Sequence, residues 1–339
     1  MNEELLGLRG CLKHLKMTKG RRRWPEDENG HSSLGTENNP FVEDEIKLWC
    51  SKAVRRLSSK TQVVSLPLNP HIHDRLSHTG EVVACSINIA QILGLNTELA
   101  RAIAVGHDIG HAPFGHAGEH YIAERMKSKF THEVMGVVIA QHIERKCHGL
   151  NLTHEVLEGI LRHSGSNATE HMTQEAWVVR YADKIAYIFA DFNDFNRMGF
   201  IIPADLIKLM NEFGETQRER VRKTIVALCR ESAEVGKVSF STSELAKKFD
   251  TLRTLMYGVY PRITMQNPRR ILEPIYEFVE GLKLGDPWLI LSLMTDRDVT
   301  YLAKQHALSY DHIRNSSVGE IMEHIQGKTI DCCDPDLDW

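Results

Sequence analysis

Residues 107–116 read His-Asp-Ile-Gly-His-Ala-Pro-Phe-Gly-His, a histidine-rich turn at the end of a helical pattern. His107 and Asp108 are about 100° apart around a helix, so both side chains can reach one metal ion over the helix edge. His78, at the start of one helical stretch, and Asp183, inside another, supply a further imidazole and carboxylate. These nitrogen and oxygen donors suit Mn or Mg, and also Fe, Co or Ni, with coordination positions left open. The sequence therefore predicts a catalytic divalent-metal site.

The remaining composition excludes several other classes of protein. The seven cysteines are scattered without any Cys-x-x-Cys, which argues against structural zinc and favours a reducing cytosol. The formal charge of −4 does not indicate a nucleic-acid coat. No apolar stretch resembles a signal peptide or a membrane span. We predict a cytoplasmic protein without membrane contact.

From about Phe41 onward nearly every long segment has helical periodicity, with helices expected up to residue 326, and this pattern predicts an all-α fold. The clearest helix covers 79–93 and stops at Gly94, after which Asn96 or Thr97 caps the next one. One short stretch, 238–242, looks like a strand. Further helices are expected at 132–147, at 154–163, at 173–197 after the cap Thr173, and between breaks at Pro203, Gly214, Pro261, Pro268 and 285–287.

The segment 16–40 is polar, and it contains Arg21-Arg22-Arg23-Trp24 followed by an acidic stretch. We expect residues 1–40 to be flexible or ordered by assembly, residues 41–200 to form the catalytic core, and residues 201–339 to form a C-terminal helical region. That C-terminal region would complete the site and supply oligomer contacts.

Charged and aromatic side chains around the predicted metal site indicate phosphate chemistry. Arg75 and Lys184 lie close in sequence to His78 and Asp183, where phosphate oxygens would need positive charge. Arg180, Lys184, Tyr187 and Asp191 recur at intervals of four, three and four residues, so they share one face of the 173–197 helix. His111, His116 and Glu119 follow the His-Asp pair. An imidazole held by a carboxylate can transfer a proton to or from a reacting oxygen.

Five motifs together resemble one family, the HD-domain deoxynucleoside triphosphate triphosphohydrolases. This is a bacterial dGTPase-like family related to the eukaryotic SAM-and-HD-domain dNTPase. The resemblance covers about residues 40–305. Residues 75–78 (Arg-Leu-Ser-His) resemble R-L-T-H, residues 107–116 resemble H-D-L-G-H-P-P-F-G-H, residues 182–187 resemble A-D-E-I-A-Y, residues 51–63 resemble S-x-A-F-R-R-L-x-x-K-T-Q-V, and residues 294–297 resemble M-T-D-R.

The resemblance implies an HD-domain helical core with an additional C-terminal helical region, and it implies a role for each matching residue. His78, His107, Asp108 and Asp183 would bind one metal ion per chain. His116, aided by Glu119, would be the acid or base at the α-phosphorus, with His111 and His132 lining the phosphate pocket. Arg75 and Lys184 would hold the triphosphate, Gln62 and Asp191 would bond the sugar 3′-hydroxyl, and Tyr187 would exclude a 2′-hydroxyl. His73, Ala112 and Val54 depart from the family pattern.

The expected reaction is metal-dependent hydrolysis of dGTP, or of dNTPs generally, to deoxynucleoside and tripolyphosphate. One alternative is a two-metal HD phosphodiesterase acting on a nucleotide or cyclic nucleotide, which could recruit His111, His132, His142 or His163. Another is a nucleotide-binding or single-stranded DNA-binding module that uses residues 16–24 as a weak basic grip. The resemblance also implies a homo-oligomer, commonly a hexamer. Base preference, the physiological metal, allosteric activation by nucleotide and the roles of residues 1–40 and 306–339 stay open.

Overall fold

The structure is a computed structural model that describes residues 7–25, 39–65, 67–264 and 267–339. Within these ranges the chain is helical and has no β-strand, and two isolated antiparallel bridges join Arg22 to Thr153 and Thr61 to Asp74. The prediction of an all-α fold is confirmed. The helices are α1 (Pro40–Trp49), α2 (Lys52–Arg56), α3 (Arg75–Leu93), α4 (Thr97–Gly106), α5 (His116–Met126), α6 (His132–Val138), α7 (Glu144–Cys147), α8 (His154–Arg162), α9 (Gln174–Arg197), α10 (Ala204–Phe213), α11 (Gln217–Val235), α12 (Glu244–Val259), α13 (Arg269–Leu282), α14 (Pro287–Leu293), α15 (Asp296–Ala303), α16 (Tyr310–Arg314) and α17 (Gly319–Ile325).

Helix α3 begins earlier than the predicted start at residue 79. Asp74 forms a capping box: its carboxylate accepts a hydrogen bond from Ser77 N at 2.8 Å, and the Ser77 hydroxyl oxygen accepts one from Asp74 N at 3.0 Å. The cap places Arg75 at the first position of the helix and His78 in its first turn. Both side chains are therefore held by a rigid element.

The other caps follow the sequence pattern. Gly94 ends α3 with φ of 80°, a conformation that glycine adopts without strain. Asn96 then caps α4, and Thr173 caps α9 by accepting a hydrogen bond from Ala176 N at 3.2 Å. The predicted boundaries of these two helices are confirmed.

Helices α3 and α9 form the centre of the core. α3 packs against α4, α9 and α11, while α9 also packs against α4, α8 and α11. The apolar face of α9 includes Ile185, Ile188 and Phe189, which are completely buried. Burying one such side chain contributes about 1.5–3 kcal/mol relative to leaving it exposed. This packing holds Asp183 of α9 beside the start of α3 and the end of α4.

The predicted helix over residues 132–147 is interrupted. After α6 the chain forms a π-helical turn, Ile139–Ile143, and within α7 Arg145 and Lys146 have φ of 50° and 58°. The chain then turns back, so that Leu150 N donates to Ala140 O at 2.7 Å. Gly149, with φ of 76°, allows this return because an added Cβ would lie 2.1 Å from Gln141 O.

The strand-like stretch 238–242 is not a strand, so this prediction was wrong. The backbone N–H groups of Ser241, Thr242 and Ser243 donate to the carboxylate of Glu231 on α11, at 2.6, 3.0 and 3.0 Å. Because a side chain satisfies these donors, the segment needs no partner strand.

Part of the N-terminal segment contacts the core. Leu12 is buried, and its N–H donates to Leu93 O at 2.9 Å. Arg22 pairs with the buried Asp44 and donates to Pro40 O at 2.9 Å. Residues 1–6 and 26–38 of the predicted segment lie outside the described residues. The described part of the N-terminal segment thus packs on the core of its own chain.

The C-terminal residues meet the same basic segment. Trp339 Nε1 lies 3.3 Å from Gln141 Oε1, and the guanidinium of Arg21 lies 5.6 Å from the centre of the Trp339 ring. Arg23 pairs with Asp336. Among the described residues, no helix has the length and apolarity needed to cross a bilayer.

His73 joins the start of α3 to α9, at the position where the family pattern has an arginine. Its Nδ1 lies 2.9 Å from Asp194 Oδ2, and its Nε2 lies 3.3 Å from Glu81 Oε1. Arg197 also bonds Asp194, and Gln217 bonds Glu81. The hydrogen bonds to the two carboxylates raise the pKa of His73 to about 10, although burial opposes the charge.

This arrangement predicts a pH dependence of stability. Because the folded-state pKa lies above the ordinary 6.5, the stabilisation is fully present below pH 6.5 and is lost as the pH rises towards about 10. We expect a loss of roughly 1–2 kcal/mol in the free energy of unfolding over that window, since the pair is partly exposed to solvent. Urea unfolding of the wild-type protein and of His73→Arg, at pH values from 6.5 to about 10, measures this loss in the free energy of unfolding. The arginine variant should not show this pH-dependent loss of stability, because a guanidinium stays charged. If the stability of both proteins changed with pH in parallel, His73 would not be the titrating group.

Candidate metal and proton-transfer site

The four predicted metal ligands come together in the structure, and we call them the metal group: His78, His107, Asp108 and Asp183. His78 Nε2 lies 3.1 Å from Asp183 Oδ1, and His107 Nε2 lies 3.4 Å from Asp108 Oδ1 and 3.9 Å from Asp183 Oδ1. One ligand atom from each of His78, His107 and Asp108 falls within 4.8 Å of the others. His78 lies on α3, Asp183 lies on α9, and His107 and Asp108 directly follow α4, so the group depends on the packing of α3, α4 and α9.

The chemistry of the metal group fits a divalent cation. His107 Nδ1 lies 2.7 Å from Ala104 O, which can only accept, so Nδ1 carries the proton. His107 Nε2 is therefore a bare acceptor, and it is buried without a hydrogen-bond partner among the described residues. A buried polar atom without a partner is costly, and coordination would satisfy it. Two imidazoles and two carboxylates also match the donors that catalytic divalent metals prefer.

Both carboxylates of the metal group are ionised at neutral pH. Burial by itself would raise the pKa of Asp183, but the hydrogen bond with His78 outweighs it and holds the pKa at about 2. Burial of Asp108 is likewise outweighed by the charge of Arg75, which holds its pKa well below the usual range. The site thus presents two negative charges to a cation.

A second group lies beside the metal group, and we call it the proton-transfer group: His111, His116, Glu119 and His132. Glu119 Oε2 lies 3.2 Å from His116 Nδ1 and 3.4 Å from His132 Nδ1, while Oε1 contacts His111 Nδ1. The rings of His111 and His132 stack with centroids 3.7 Å apart. Glu119 is buried, whereas the side chain of His116 is 72% exposed. His116 is thus the one member of this group whose side chain is open to solvent.

The two groups touch through Asp108 and His111, whose Oδ1 and Nε2 atoms lie 3.1 Å apart. Burial and the charge on Arg75 lower the pKa of His111 to about 4. Burial also opposes a charge on His132, but Glu119 outweighs it and raises that pKa to about 9. One stacked imidazole is therefore neutral at pH 7 and the other is charged.

The backbone between the two groups approaches α6 closely. A Cβ on Gly110 would lie 2.0 Å from His132 O, so this position accommodates no larger residue without moving the backbone. Phe114 has φ of 61°, which is unusual for a residue other than glycine, and Gly115 has φ of 58°. His116 then opens α5. The turn is thus compact and locally strained.

Cationic side chains lie around both groups. Arg75 donates to Asp108 Oδ2 at 2.7 Å, so in this structure the predicted triphosphate-binding arginine pairs with a member of the metal group. Burial, with Arg180 and Arg253 nearby, lowers the pKa of Lys184 to about 8. Arg180 donates to Arg162 O at 3.1 Å. Arg253, on α12, was missed by the sequence reasoning because only packing brings it near Lys184.

Two of the predicted sugar-binding residues, Tyr187 and Asp191, contact tyrosines at the end of α12. The hydroxyl oxygens of Tyr187 and Tyr257 are 3.0 Å apart, and Tyr260 OH donates to Asp191 Oδ2 at 2.8 Å. Burial raises the pKa of Asp191 to about 7. Gln62 Oε1 is buried without a hydrogen-bond partner in the part of the chain that the structure describes. Tyr257 and Tyr260 were not identified from the sequence, since no motif links them to α9.

A third cluster combines Asp108 with His132 and His163, whose ligand atoms fall within 4.8 Å of one another. His163 Nδ1 lies 2.7 Å from Ile160 O, as His107 Nδ1 lies from Ala104 O, and so its Nε2 is bare as well. Of the histidines predicted for a second metal, His111, His132 and His163 lie near Asp108. His142 instead pairs with Asp336, at 3.2 Å.

The chain resembles known proteins over this same region. Residues 75–188, which include both groups, match the model of the HD domain. Three similar proteins are each named deoxyguanosinetriphosphate triphosphohydrolase-like protein. They come from Clostridium tetani (39% identical over 60% of this chain and 61% of that protein), Desulfatibacillum aliphaticivorans (35%, over 70% and 72%) and Clostridium perfringens strain 13 (36%, over 70% and 73%).

The fold and the match over residues 75–188 therefore define an HD-domain protein, a class that binds divalent metals. Within this class, the chain belongs to the family of deoxyguanosinetriphosphate triphosphohydrolase-like proteins. The resemblance inferred from the motifs is confirmed.

Proposed function

We propose that this protein hydrolyses deoxynucleoside triphosphates, dGTP among them, to deoxynucleoside and tripolyphosphate. The observation that carries the proposal is the contact between Asp108 and His111, which joins a metal-binding group to a proton-transfer group beside a cluster of cations. Membership of a family whose named members are triphosphohydrolase-like supports the same reaction. The proposal assigns the metal group to the α-phosphate and the cations to the rest of the triphosphate.

The proposed reaction requires water to attack the α-phosphorus and the bond from phosphorus to O5′ to break. A divalent cation in the metal group would supply charge that stabilises the phosphate oxygens in the transition state. His116 would give a proton to the departing O5′, and Glu119 would hold the imidazole through Nδ1 so that Nε2 faces that oxygen. Lys184 and Arg253 would bind the outer phosphates, and Arg75 would join them by exchanging its bond to Asp108 for a phosphate oxygen.

Sugar selection would fall to the α9 and α12 side chains. Asp191 and Gln62 would bond the 3′-hydroxyl, and Tyr187 would occupy the space that a 2′-hydroxyl needs. The bond between Tyr187 and Tyr257 fixes this ring in place. Because Tyr257, Tyr260 and Arg253 come from beyond residue 200, they support the proposal that the C-terminal region completes the site.

Removing the ring of Tyr187 is expected to relax sugar selection. For Tyr187→Ala, the ratio of kcat/KM for dGTP over GTP should fall by about 10–100-fold, because the variant leaves room for a 2′-hydroxyl. Tyr187→Phe is the matched control, since it keeps the ring and loses only the bond to Tyr257. It should retain most of the selectivity. Equal selectivity in wild type and Tyr187→Ala would remove Tyr187 from this role.

Product analysis tests the reaction itself. The purified protein is incubated with each of the four dNTPs and with GTP in Mn or Mg, in water enriched in ¹⁸O, and the products are separated by anion exchange. Deoxynucleoside without label and tripolyphosphate with one ¹⁸O atom are expected. Release of mono- or diphosphate, or label in the nucleoside, would refute attack at the α-phosphorus.

The cluster of Asp108, His132 and His163 favours a second candidate, a two-metal phosphodiesterase. The His163 Nε2 of this cluster carries no proton, like the His107 Nε2 of the metal group, although in this structure it lies within hydrogen-bond distance of His132 Nε2, at 3.4 Å. Two metal ions per chain, with turnover of bis(p-nitrophenyl) phosphate and none of dNTPs, would favour this activity. One metal ion per chain with dNTP turnover would favour the triphosphohydrolase.

A role centred on single-stranded DNA has less support. Arg21 lies over Trp339, Arg22 pairs with Asp44, and Arg23 pairs with Asp336. Arg22 and Arg23 are therefore engaged within the chain, and a DNA grip would rest on the exposed cations Lys16, Lys19 and Arg21. Weak DNA binding and a hexameric homo-oligomer stay predictions, and salt-dependent binding assays and light scattering would test them.

A further inference from the structure

One buried carboxylate contacts both loops that carry the proposed chemistry. Asp296, at the start of α15, is 1% exposed. Its Oδ1 accepts a hydrogen bond from Phe114 N at 2.9 Å, and its Oδ2 accepts one from Thr61 N at 3.0 Å and another from the Thr61 hydroxyl. Phe114 belongs to the turn between His111 and His116, and Thr61 is followed by Gln62. The C-terminal region thus bridges two segments that are distant in sequence.

We infer that Asp296 is a positioning residue that sets the distance between the sugar-binding loop and the proton-transfer loop. The inference rests on the proposed function for the roles of Gln62 and His116. It assigns a role in catalysis to a residue of the late Met-Thr-Asp-Arg motif, which touches neither the metal group nor the proton-transfer group.

The turn at Phe114 needs an external anchor. Phe114 has φ of 61°, a conformation that carries a steric cost for a phenylalanine, and Gly115 follows with φ of 58°. The side chain of His116 is 72% exposed, so packing alone does not hold it. Its direction depends on the backbone that leads into α5 and on its bond to Glu119. Losing the Phe114 bond would leave a buried N–H unpaired and allow the turn to relax.

The other loop is tied to the helix that carries His78. Arg75 N donates to Lys60 O at 3.1 Å, and Thr61 forms an isolated bridge with Asp74. The Asp296 carboxylate therefore links the start of α3, the Gln62 loop and the turn before His116. A shift at this carboxylate would change how a bound sugar lies relative to His116.

Lys60 makes a parallel connection between the same segments. Its ammonium nitrogen donates to His111 O and lies 3.5 Å from Ser292 O, at the end of α14. The side chain is buried, and burial lowers its pKa to about 7. Two side chains thus anchor the turn between His111 and Phe114, one at each end. Only Asp296 comes from the C-terminal region.

Asp298 offers a matched control two residues further along α15. It is also buried, and its Oδ2 accepts hydrogen bonds from Thr295 N and the Thr295 hydroxyl, each at 2.7 Å, while Oδ1 accepts one from Ser317 N at 2.9 Å. None of these contacts reaches the Gln62 loop or the His111–His116 turn. Asp298→Asn should therefore lower stability without altering catalysis.

Asp296→Asn is the informative substitution, because an amide oxygen can accept from one loop while the NH₂ group opposes the donor of the other. We expect kcat for dGTP per metal-loaded chain to fall by about 10–100-fold, and selectivity for dGTP over GTP to fall with it. Metal content should stay at the wild-type level. Asp298→Asn should keep kcat within about twofold of the wild-type value, even if its Tm falls by as much as the Tm of Asp296→Asn does. Thr61→Val removes one donor to Asp296 and should lower kcat by a smaller factor. This variant replaces Asp296→Asn in the test if Asp296→Asn does not fold.

Hydrogen exchange at single-residue resolution tests the Asp296 contacts independently of the reaction that the site performs. The amides of Thr61 and Phe114 should lose protection in Asp296→Asn and keep it in Asp298→Asn, whatever reaction the site performs. An inactive wild type with this exchange pattern would refute the proposed function and leave the positioning contact standing. Unchanged protection, or unchanged kcat and selectivity in a folded Asp296→Asn, would overturn the inference. An equal loss of kcat in Asp298→Asn would do the same.

Discussion

Replacing Asp108 with asparagine is expected to abolish metal binding and to lower kcat/KM for dGTP by at least about 10³-fold. Asp108 lies near both imidazoles of the metal group, with Oδ1 3.4 Å from His107 Nε2 and Oδ2 4.0 Å from His78 Nε2. It is also the carboxylate shared by the metal group and the cluster with His132 and His163. Asparagine keeps the size of the side chain and removes the charge, so the loss of activity would report on the charge and the metal ligation of Asp108 and not on its packing.

Metal content per chain and steady-state kinetics should be measured on the same preparations. Asp194→Asn is a suitable control for metal binding, because Asp194 is also buried and its side chain bonds His73 and Arg197. It should retain the metal ion. A fully metal-loaded Asp108→Asn protein with activity within tenfold of wild type would show that the cation, or the chemistry, lies elsewhere.

The second large effect is expected at His116. His116→Gln should lower kcat by about 10²–10⁴-fold, the range typical of a general acid or base, while metal content stays constant. Because the side chain is 72% exposed, the substitution should change the free energy of unfolding little. A loss of kcat without a loss of stability would place His116 in the reaction.

His120→Gln is the matched control for this prediction. His120 lies on the same helix, α5, and is exposed. It should turn over dGTP within about twofold of wild type, as expected for a surface substitution. Glu119→Gln should behave like His116→Gln, since Glu119 contacts His111, His116 and His132. If His116→Gln kept the wild-type kcat, the proton would have to come from another group.

The metal group could be predicted from sequence because its chemistry is concentrated in short motifs. A His-Asp pair at the end of a helix fixes two ligands locally, and the remaining two lie in the recognisable stretches at 75–78 and 182–187. His163 had a similar local signal. Like His107, it directly follows a helix and bonds the carbonyl three residues earlier, which leaves its Nε2 bare.

Other parts of the site have no local signal. Arg253, Tyr257 and Tyr260 lie beside residues of α9 because α12 brings them there, and the sequence pattern of α12 is that of an ordinary amphipathic helix. The late motif at 294–297 was recognised without a role, because the contacts of the buried Asp296 reach residues more than 180 positions away. The strand expected at 238–242 does not form because Glu231, a side chain of the preceding helix α11, accepts hydrogen bonds from the backbone N–H groups of Ser241 and Thr242.

The helical class, the main helix caps and the family are readable from the amino-acid sequence, because periodicity, capping and short motifs act over a few residues. The packing of separate helices sets which carboxylate each histidine meets, brings Glu119 into contact with three imidazoles, and leaves His116 exposed while the other three members of its group are buried. The protonation of His111 and His132 followed from the same packing. These properties depend on burial and on distances between separate helices, which no local pattern encodes.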